Sequence, residues 1–237
     1  MKIPSLLAEI QGRLHSLADP ETARGQQRFF KTGPGQYGAG DVFIGIKVPV
    51  IRKLATEFPD VSLDEAVQLL RSPHHEARLL ALIFLVRAFD RGSAAERREI
   101  YRLYLGSTRY INNWDLVDVS APQVVGAYLA DQQRAPLYLL ARSDSLWERR
   151  IAIVATFHFI RQGDFGDTLA IAEYLLADRE DLIHKATGWM LREVGKRERA
   201  VLEGFLRRHC RTMPRTMLRY AIEHFPTEKR QAYLRGV

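Results

Sequence analysis

Cysteine and long apolar runs are both scarce in this chain, and each scarcity excludes a class of protein. Cys210 is the one cysteine among 237 residues, which excludes disulfides within the chain and zinc sites built on cysteine thiolates. We expect Cys210 to pack in the interior rather than to act as a nucleophile. The longest apolar run, residues 79–86, is far too short to span a bilayer, and no signal-peptide pattern begins the chain. The sequence therefore predicts a soluble, cytoplasmic protein.

Strand-like patterns are also missing, and helical ones take their place. No stretch alternates apolar and polar residues between hairpin turns, so the chain predicts an all-α fold. A first amphipathic helix is indicated by apolar residues at helical spacing, namely Ile3, Leu6, Leu7, Ile10, Leu14 and Leu17. Later apolar stretches are separated by short breaks at residues 72–73, 91–93, 143–145, 162–164, 177–178 and 212–214.

The helices recur at a nearly constant spacing. Those that contain Arg78, Asp115, Arg150, Lys185 and Arg215 follow one another after 37, 35, 35 and 30 residues. Such recurrence is typical of an α-solenoid of HEAT-like antiparallel helix pairs, in which each repeat packs on its neighbours. Because four of the five aligned residues are basic, we predict one repeat domain over residues 1–237 with a concave, basic cleft. An irregular helical bundle is the alternative.

Basic residues are in excess and concentrated in one segment. The 35 lysines and arginines exceed the 28 aspartates and glutamates, which gives a net charge of +7. Ten of the cations lie within residues 185–219, where only three glutamates oppose them. Most of the ten are arginines, whose planar fork suits phosphate. The segment predicts a polyanionic partner, and an ordinary solvated helix face is the alternative.

Residues 32–41 interrupt the helical pattern. They contain four glycines and a proline, so we expect an irregular surface loop. No Gly-Lys-Ser or Gly-Lys-Thr follows and no strand precedes them, which argues against a phosphate-binding loop for nucleotides.

One acid departs from the repeat. Three residues after the aligned positions stand Ala81, Asp118, Ile153, Gly188 and Leu218, so a single carboxylate lies on a predicted packing face. Because an unpartnered charge there costs several kcal/mol, Asp118 is a candidate functional residue. The alternative is that Asp118 caps a helix that begins near Ser120.

The three tryptophans occupy similar places in successive repeats. Trp147 precedes an apolar helix, so we expect it in the core. Trp114 and Trp189 stand among polar neighbours, which favours exposed rings. Gly188, next to Trp189, is interpreted as a place where a ligand approaches the backbone.

Five motifs together resemble the DNA alkylation repair family of helical-repeat glycosylases. The most specific are Trp-Asp-Leu-Val-Asp at residues 114–118 and Lys-Ala-Thr-Gly-Trp-Met-Leu-Arg-Glu at residues 185–193. The others are Arg-Phe-Phe-Lys at 28–31, Phe-Ile-Gly-Ile at 43–46 and Trp-Glu-Arg-Arg at 147–150. The resemblance covers most of the chain.

The resemblance implies an enzyme that removes positively charged N3- and N7-alkylated purines from duplex DNA, without a metal or an organic cofactor. Asp118 then matches the catalytic aspartate, and Trp114 and Trp189 match the aromatic pair that flanks the deoxyribose of the lesion. DNA contacts are expected from Arg150, Lys185, Arg192, Arg28, Lys31 and Phe29, the last of which stands where the family has a tyrosine. We expect a monomer that acts at the nucleoid. A non-catalytic DNA-binding repeat protein and a protein-binding scaffold are the alternatives.

Overall fold

The computed structural model describes residues 5–236, and within them every regular element is a helix except one isolated bridge between Val42 and His74. The all-α prediction is confirmed. Ile3, predicted in the first helix, lies outside the described residues. No helix of residues 5–236 combines the length and the apolar character that a membrane span requires. The chain divides into two compact units, Met1–Ser120 and Ala121–Val237, and the single domain over residues 1–237 stays a prediction.

The first unit is built around a buried helix. Its helices are α1 (Leu6–Ser16), α2 (Pro20–Phe29), α3 (Val48–Glu57), α4 (Leu63–Leu70), α5 (His75–Arg91), α6 (Ala94–Leu105), a short 3-10 turn (Thr108–Tyr110) and α7 (Trp114–Ala121), the last residue of which begins the second unit. The apolar run noted in the sequence lies in α5, where residues 79–85 are all buried. Helices α3, α4 and α6 pack against α5. Ser62 and Ser93 begin α4 and α6 with complete capping boxes.

The second unit is organised around α13. Its helices are a π-helical turn (Pro122–Gly126), α8 (Ala127–Leu129), α9 (Ala135–Ala141), α10 (Leu146–Ala155), α11 (Phe157–Arg161), α12 (Gly166–Tyr174), a 3-10 turn (Leu175–Ala177), α13 (Asp181–Arg197), α14 (Arg199–His209), α15 (Arg215–Ala221) and α16 (Thr227–Arg235). Helices α10, α14 and α15 pack against α13. Cys210 is buried, as expected.

The predicted breaks and repeat register agree with the helices. Four of the six breaks lie between helical elements, and the other two begin on the last residue of one, Arg91 of α5 and Ala177 of the 3-10 turn. Of the five residues on the predicted packing face, Ala81, Ile153 and Leu218 are fully buried, Gly188 is buried, and Asp118 is half-buried. The register therefore identifies a buried position in four of the five helices, and Asp118, the one acid among the five residues, is less buried than the others.

The glycine-rich segment forms irregular turns, as expected, and its continuation is fixed by one buried carboxylate. Glu76 accepts hydrogen bonds from the backbone N–H groups of Ile44, Gly45 and Ile46 at 2.8 to 3.2 Å. Gly45 has a φ of +90°, and a Cβ there would lie 1.9 Å from the carbonyl oxygen of Asp19. Gly45 is therefore required in the motif at residues 43–46 for two reasons. Its backbone adopts a positive φ, and the chain passes too close to the start of α2 to leave room for a side chain.

Gly188 has a packing role, which corrects the interpretation that it admits a ligand. A Cβ at this position would lie 2.5 Å from the carbonyl oxygen of Met217 and 2.5 Å from the Cβ of Tyr220. Helix α15 therefore lies directly against the backbone of α13 at Gly188.

We predict opposite effects for alanine at two helical glycines. Gly188→Ala should lower the free energy of unfolding by roughly 1–3 kcal/mol, because α15 must move to admit the methyl group. Gly204→Ala in α14, where a Cβ meets only a distant arginine nitrogen, should raise it by up to about 1 kcal/mol. Urea denaturation of both variants checks this, and equal shifts in the same direction would contradict the close α13–α15 packing.

Candidate functional site

Asp118 and Trp114 lie one turn apart on α7 and are both half-buried. Residues four apart share a helix face, so the carboxylate and the indole are neighbours. Asp118 is an interior residue of α7, and the chain continues helically through the π-helical turn Pro122–Gly126. Because Asp118 lies inside a continuous helical stretch and not at the start of a helix, the interpretation of Asp118 as a cap is wrong.

A buried tyrosine lies near Asp118. The hydroxyl of Tyr104 is 2.9 Å from the Ser120 hydroxyl. Burial raises the pKa of Tyr104, the hydrogen bond with Ser120 opposes this rise, and the nearby negative charge of Asp118 adds to it. Tyr104 is therefore neutral.

The start of α7 is held by side chains that the sequence analysis missed. Asn113 accepts the N–H of Trp114 with its Oδ1 at 2.9 Å and donates its Nδ2 to Asp41 Oδ2 at 3.1 Å. Asp115 accepts the N–H of Leu116 at 2.9 Å. These contacts attach the first turn of α7 to the end of the glycine-rich segment.

His75 lies between two carboxylates. Its Nδ1 is 2.8 Å from Asp41 Oδ2 and its Nε2 is 2.8 Å from Asp115 Oδ2. Ionised carboxylates only accept hydrogen bonds, so both ring nitrogens carry protons and the ring is positively charged. Burial by itself lowers the pKa of His75, but the hydrogen bonds and charges of Asp115 and Asp41 outweigh it and raise the pKa to about 9.

Arg78 completes this buried cluster. Its Nη2 is 2.6 Å from Asp41 Oδ1, and its Nη1 donates to the carbonyl oxygens of Ser72 and Pro73. Burial raises the pKa of Asp41, whereas His75 and Arg78 lower it more strongly, to about 2. Arg78 is only 4% exposed. The interpretation that placed it in a row of cleft cations is wrong, because an acid 37 residues away neutralises it in the core.

An aromatic column connects the cluster to Trp114. Trp114 stacks on Phe30 with ring centroids 5.2 Å apart, Phe30 stacks on Phe43 at 4.7 Å, and Phe43 stacks on His75 at 4.2 Å. Phe29 meets the edge of Trp114 at 6.0 Å and is 65% exposed. The predicted contact residue Phe29 is therefore an exposed aromatic ring beside the predicted site residue Trp114.

The other N-terminal candidates, Arg28 and Lys31, are both exposed. Lys31 adopts a positive φ of 52°, and its ammonium lies 6.0 Å from the ring of Tyr37. An open cavity of about 490 Å³ is lined by Arg24, Gln27, Arg28, Thr32, Gly33 and Gln36. This lining contains cations and neutral polar groups but no acid.

In the second unit, the predicted site residues have partners within the unit. Arg150 is 5% exposed and donates to the Leu182 carbonyl oxygen at 2.7 Å. Lys185 pairs with Asp181 at 2.7 Å, and Arg192 forms an ion pair with Glu223.

The two tryptophans of the second unit are both half-buried. The ring of Trp189 lies 5.9 Å from that of Phe157. The prediction that Trp147 belongs to the core is wrong, since part of its surface stays exposed.

More cations of the basic segment, residues 185–219, are paired with acids than its composition indicates. Five of its ten cations form ion pairs with acids, and two of these acids, Asp181 and Glu223, lie outside residues 185–219; the paired cations are Lys185, Arg192, Lys196, Arg197 and Arg199. The other five, Arg207, Arg208, Arg211, Arg215 and Arg219, are exposed, and Arg211 donates to the carbonyl oxygen of Gly236. Among residues 5–236, no three His, Cys, Asp or Glu side chains are grouped as a metal site would require.

Comparison with known proteins identifies a family and a similar solved structure. The model of the DNA alkylation repair enzyme family matches residues 10–225. Among solved structures, a predicted DNA alkylation repair enzyme from Enterococcus faecalis is similar with a TM-score of 0.68 at 18% sequence identity, over 89% of this chain and 97% of that one. This likeness shows a shared all-α fold. No curated protein sequence gives a significant match.

We predict that folding stability depends on the charge of His75. Because the folded pKa of about 9 lies above the usual 6.5, the contribution is complete below pH 6.5 and is lost as the pH rises through 9. Urea denaturation between these pH values should show the loss in the wild-type protein and in His74→Asn. His75→Asn should lack this pH dependence and be roughly 3–5 kcal/mol less stable at neutral pH, because it leaves buried carboxylates unpaired. The same pH dependence in His75→Asn would contradict the assignment.

Proposed function

The chain belongs to the DNA alkylation repair enzyme family, and we propose that it is a DNA glycosylase that excises positively charged N3- and N7-alkylated purines from duplex DNA. The observation that carries this proposal is the pair formed by Asp118 and Trp114, an acid and an indole one turn apart on α7 and both half-buried. The exposed ring of Phe29 beside Trp114 adds an apolar surface for a nucleotide.

The chemistry requires little from the protein beyond charge and orientation. Alkylation makes the purine cationic, so it departs with the electron pair of the N-glycosidic bond and becomes neutral without a strong general acid. Positive charge then develops on the sugar, where the Asp118 carboxylate stabilises it and orients water toward the anomeric carbon. Water forms the new C–O bond and releases its proton to solvent. The Trp114 face offers the charged sugar a cation–π attraction of about 0.5–2 kcal/mol.

The remaining predicted residues are proposed as contacts to DNA. Trp189 supplies an aromatic face to the DNA from the second unit. Arg28, Phe29 and Lys31 contact the duplex from the N-terminal part of the chain. Lys185, Arg192 and Arg150 act from the second unit. Phosphate must compete with Asp181 for Lys185 and with Glu223 for Arg192, so we expect moderate contributions from these two. Arg150 is buried and already donates to the Leu182 carbonyl oxygen, so we expect the smallest contribution from it.

We predict that Asp118→Asn lowers the single-turnover release of N7-methylguanine from duplex DNA by about a hundredfold or more, the scale for losing one electrostatic stabiliser. Folding and most of the affinity for DNA should persist, because asparagine is almost isosteric. The exposed Asp90 provides a matched control, and Asp90→Asn should release base at the wild-type rate.

Equal rates in Asp118→Asn and the wild-type protein would refute the catalytic role. If the wild-type protein binds duplex DNA but releases no base above the spontaneous background, the non-catalytic DNA-binding alternative replaces the proposal.

Duplex binding should weaken steeply with salt, with a slope near −0.9 per phosphate neutralised in a plot of log affinity against log salt. Lys185→Gln should reduce this slope by up to about one unit, whereas Lys53→Gln, which removes an exposed lysine of α3, should not reduce it. Fluorescence anisotropy over a range of salt concentrations measures both. Absent or salt-insensitive binding would favour a protein-binding scaffold.

A further inference from the structure

We infer that His75 is a positioning residue for this site: its charged ring joins the end of the glycine-rich segment, through Asp41, to the first turn of α7, through Asp115. It thereby fixes where Trp114 and Asp118 stand. The inference rests on the proposed function and adds a residue that neither the motifs nor the comparisons indicate.

The contacts make His75 the one side chain of the cluster that bridges both acids. Asp41 and Asp115 lie 34 and 40 residues from His75 along the chain, and each approaches a different ring nitrogen at 2.8 Å. His75 is 2% exposed, and both aspartates are buried. With both nitrogens hydrogen-bonded and no hydroxyl or thiol bonded to either one, the ring holds two elements together rather than serving as an acid or base.

The charges in the cluster balance only when His75 is protonated. His75 and Arg78 are then two cations beside the two anions Asp41 and Asp115. Loss of the proton leaves one uncompensated negative charge in the interior and removes one of the two hydrogen bonds that His75 donates.

The neighbouring titratable groups are occupied elsewhere. The carboxylate of Glu76 is engaged by the backbone N–H groups of Ile44, Gly45 and Ile46. The ring of His74 meets that of His15 edge-on at 5.9 Å. The protonation of the His75 ring is therefore determined by Asp41 and Asp115, and Arg78 affects it through Asp41.

Two sets of contacts connect the cluster to Trp114 and Asp118. Asp115 follows Trp114 in the chain and precedes Asp118 by one helical turn. Its contact with His75 therefore fixes the rotation of α7 about its own axis and the position of α7 along that axis. The aromatic column from His75 through Phe43 and Phe30 sets the plane of the Trp114 ring. Displacing a catalytic group by about 1 Å costs as much as a hundredfold in rate. Loss of the cluster should therefore affect the chemical step more than DNA affinity.

The test compares His75→Asn with His74→Asn, a substitution at the adjacent, half-buried histidine. Single-turnover release of N7-methylguanine at saturating protein measures the chemical step, and the Kd for unmodified duplex measures binding. Circular dichroism gives the folded fraction. We expect His75→Asn to lose about tenfold to a hundredfold in rate per folded molecule, with Kd changed by less than about threefold. His74→Asn should match the wild-type protein.

A second measurement applies even if His75→Asn fails to fold. The wild-type rate should fall as the pH rises through about 9, with protein-free duplex incubated in parallel to count alkaline ring opening of the methylated base. Asp115→Asn removes one anionic partner and offers an amide N–H that a neutral ring accepts, so it should move this fall to lower pH. A residue with a merely structural role would not move the pH profile.

The outcomes separate this inference from the proposed function. An active wild-type protein with the same rate in folded His75→Asn, or with an unmoved pH profile in Asp115→Asn, overturns the inference alone. A parallel loss of rate and DNA affinity in His75→Asn also overturns it. No release by the wild-type protein at any pH overturns the proposed function, and this inference falls with it.

Discussion

The first unit depends on a positive charge held between two negative ones in its interior, the imidazolium of His75 between Asp41 and Asp115. A buried charge is tolerated only with such partners, so the sequence must bring both aspartates to the first turn of α5. Glu76, the next residue, fixes the backbone of residues 44–46. Two adjacent polar residues thus hold the irregular N-terminal segment and the start of α7. This explains how a glycine-rich stretch without regular structure can support a defined site.

The two units use their charges differently. In the first unit, Arg78 and His75 are neutralised internally, so they shape the site and add nothing to the exterior potential. In the second unit, half of the basic segment is paired with acids, and the arginines at residues 207, 208, 215 and 219 stay exposed. Fewer basic side chains are therefore available to bind a polyanion than the net charge of +7 indicates. Affinity for a polyanion should depend on these exposed groups, and chemistry on the precise placement of α7.

Much of the fold follows from local sequence signals, and the site follows only in part. Apolar spacing and the six breaks predict the helices, and the repeat register identifies Asp118 as the acid on a packing face. The same register misplaces Arg78, because a repeat shows which side of a helix a residue occupies but not which distant acid covers it. His75 was missed for the same reason, since its partners lie 34 and 40 residues away. A histidine and a glutamate at the start of the helix with the longest apolar run are the one local signal that points to buried polar contacts there.

The charge of His75 is the claim on which this account depends, and nitrogen-15 NMR of its ring tests it most directly. Subtracting the spectrum of His75→Asn identifies its two ring resonances among those of the seven histidines. Both nitrogens should be protonated at neutral pH, and the ring should lose one proton only as the pH rises through about 9. A single protonated nitrogen at neutral pH would show a neutral ring, and the charged bridge between Asp41 and Asp115 would then not exist.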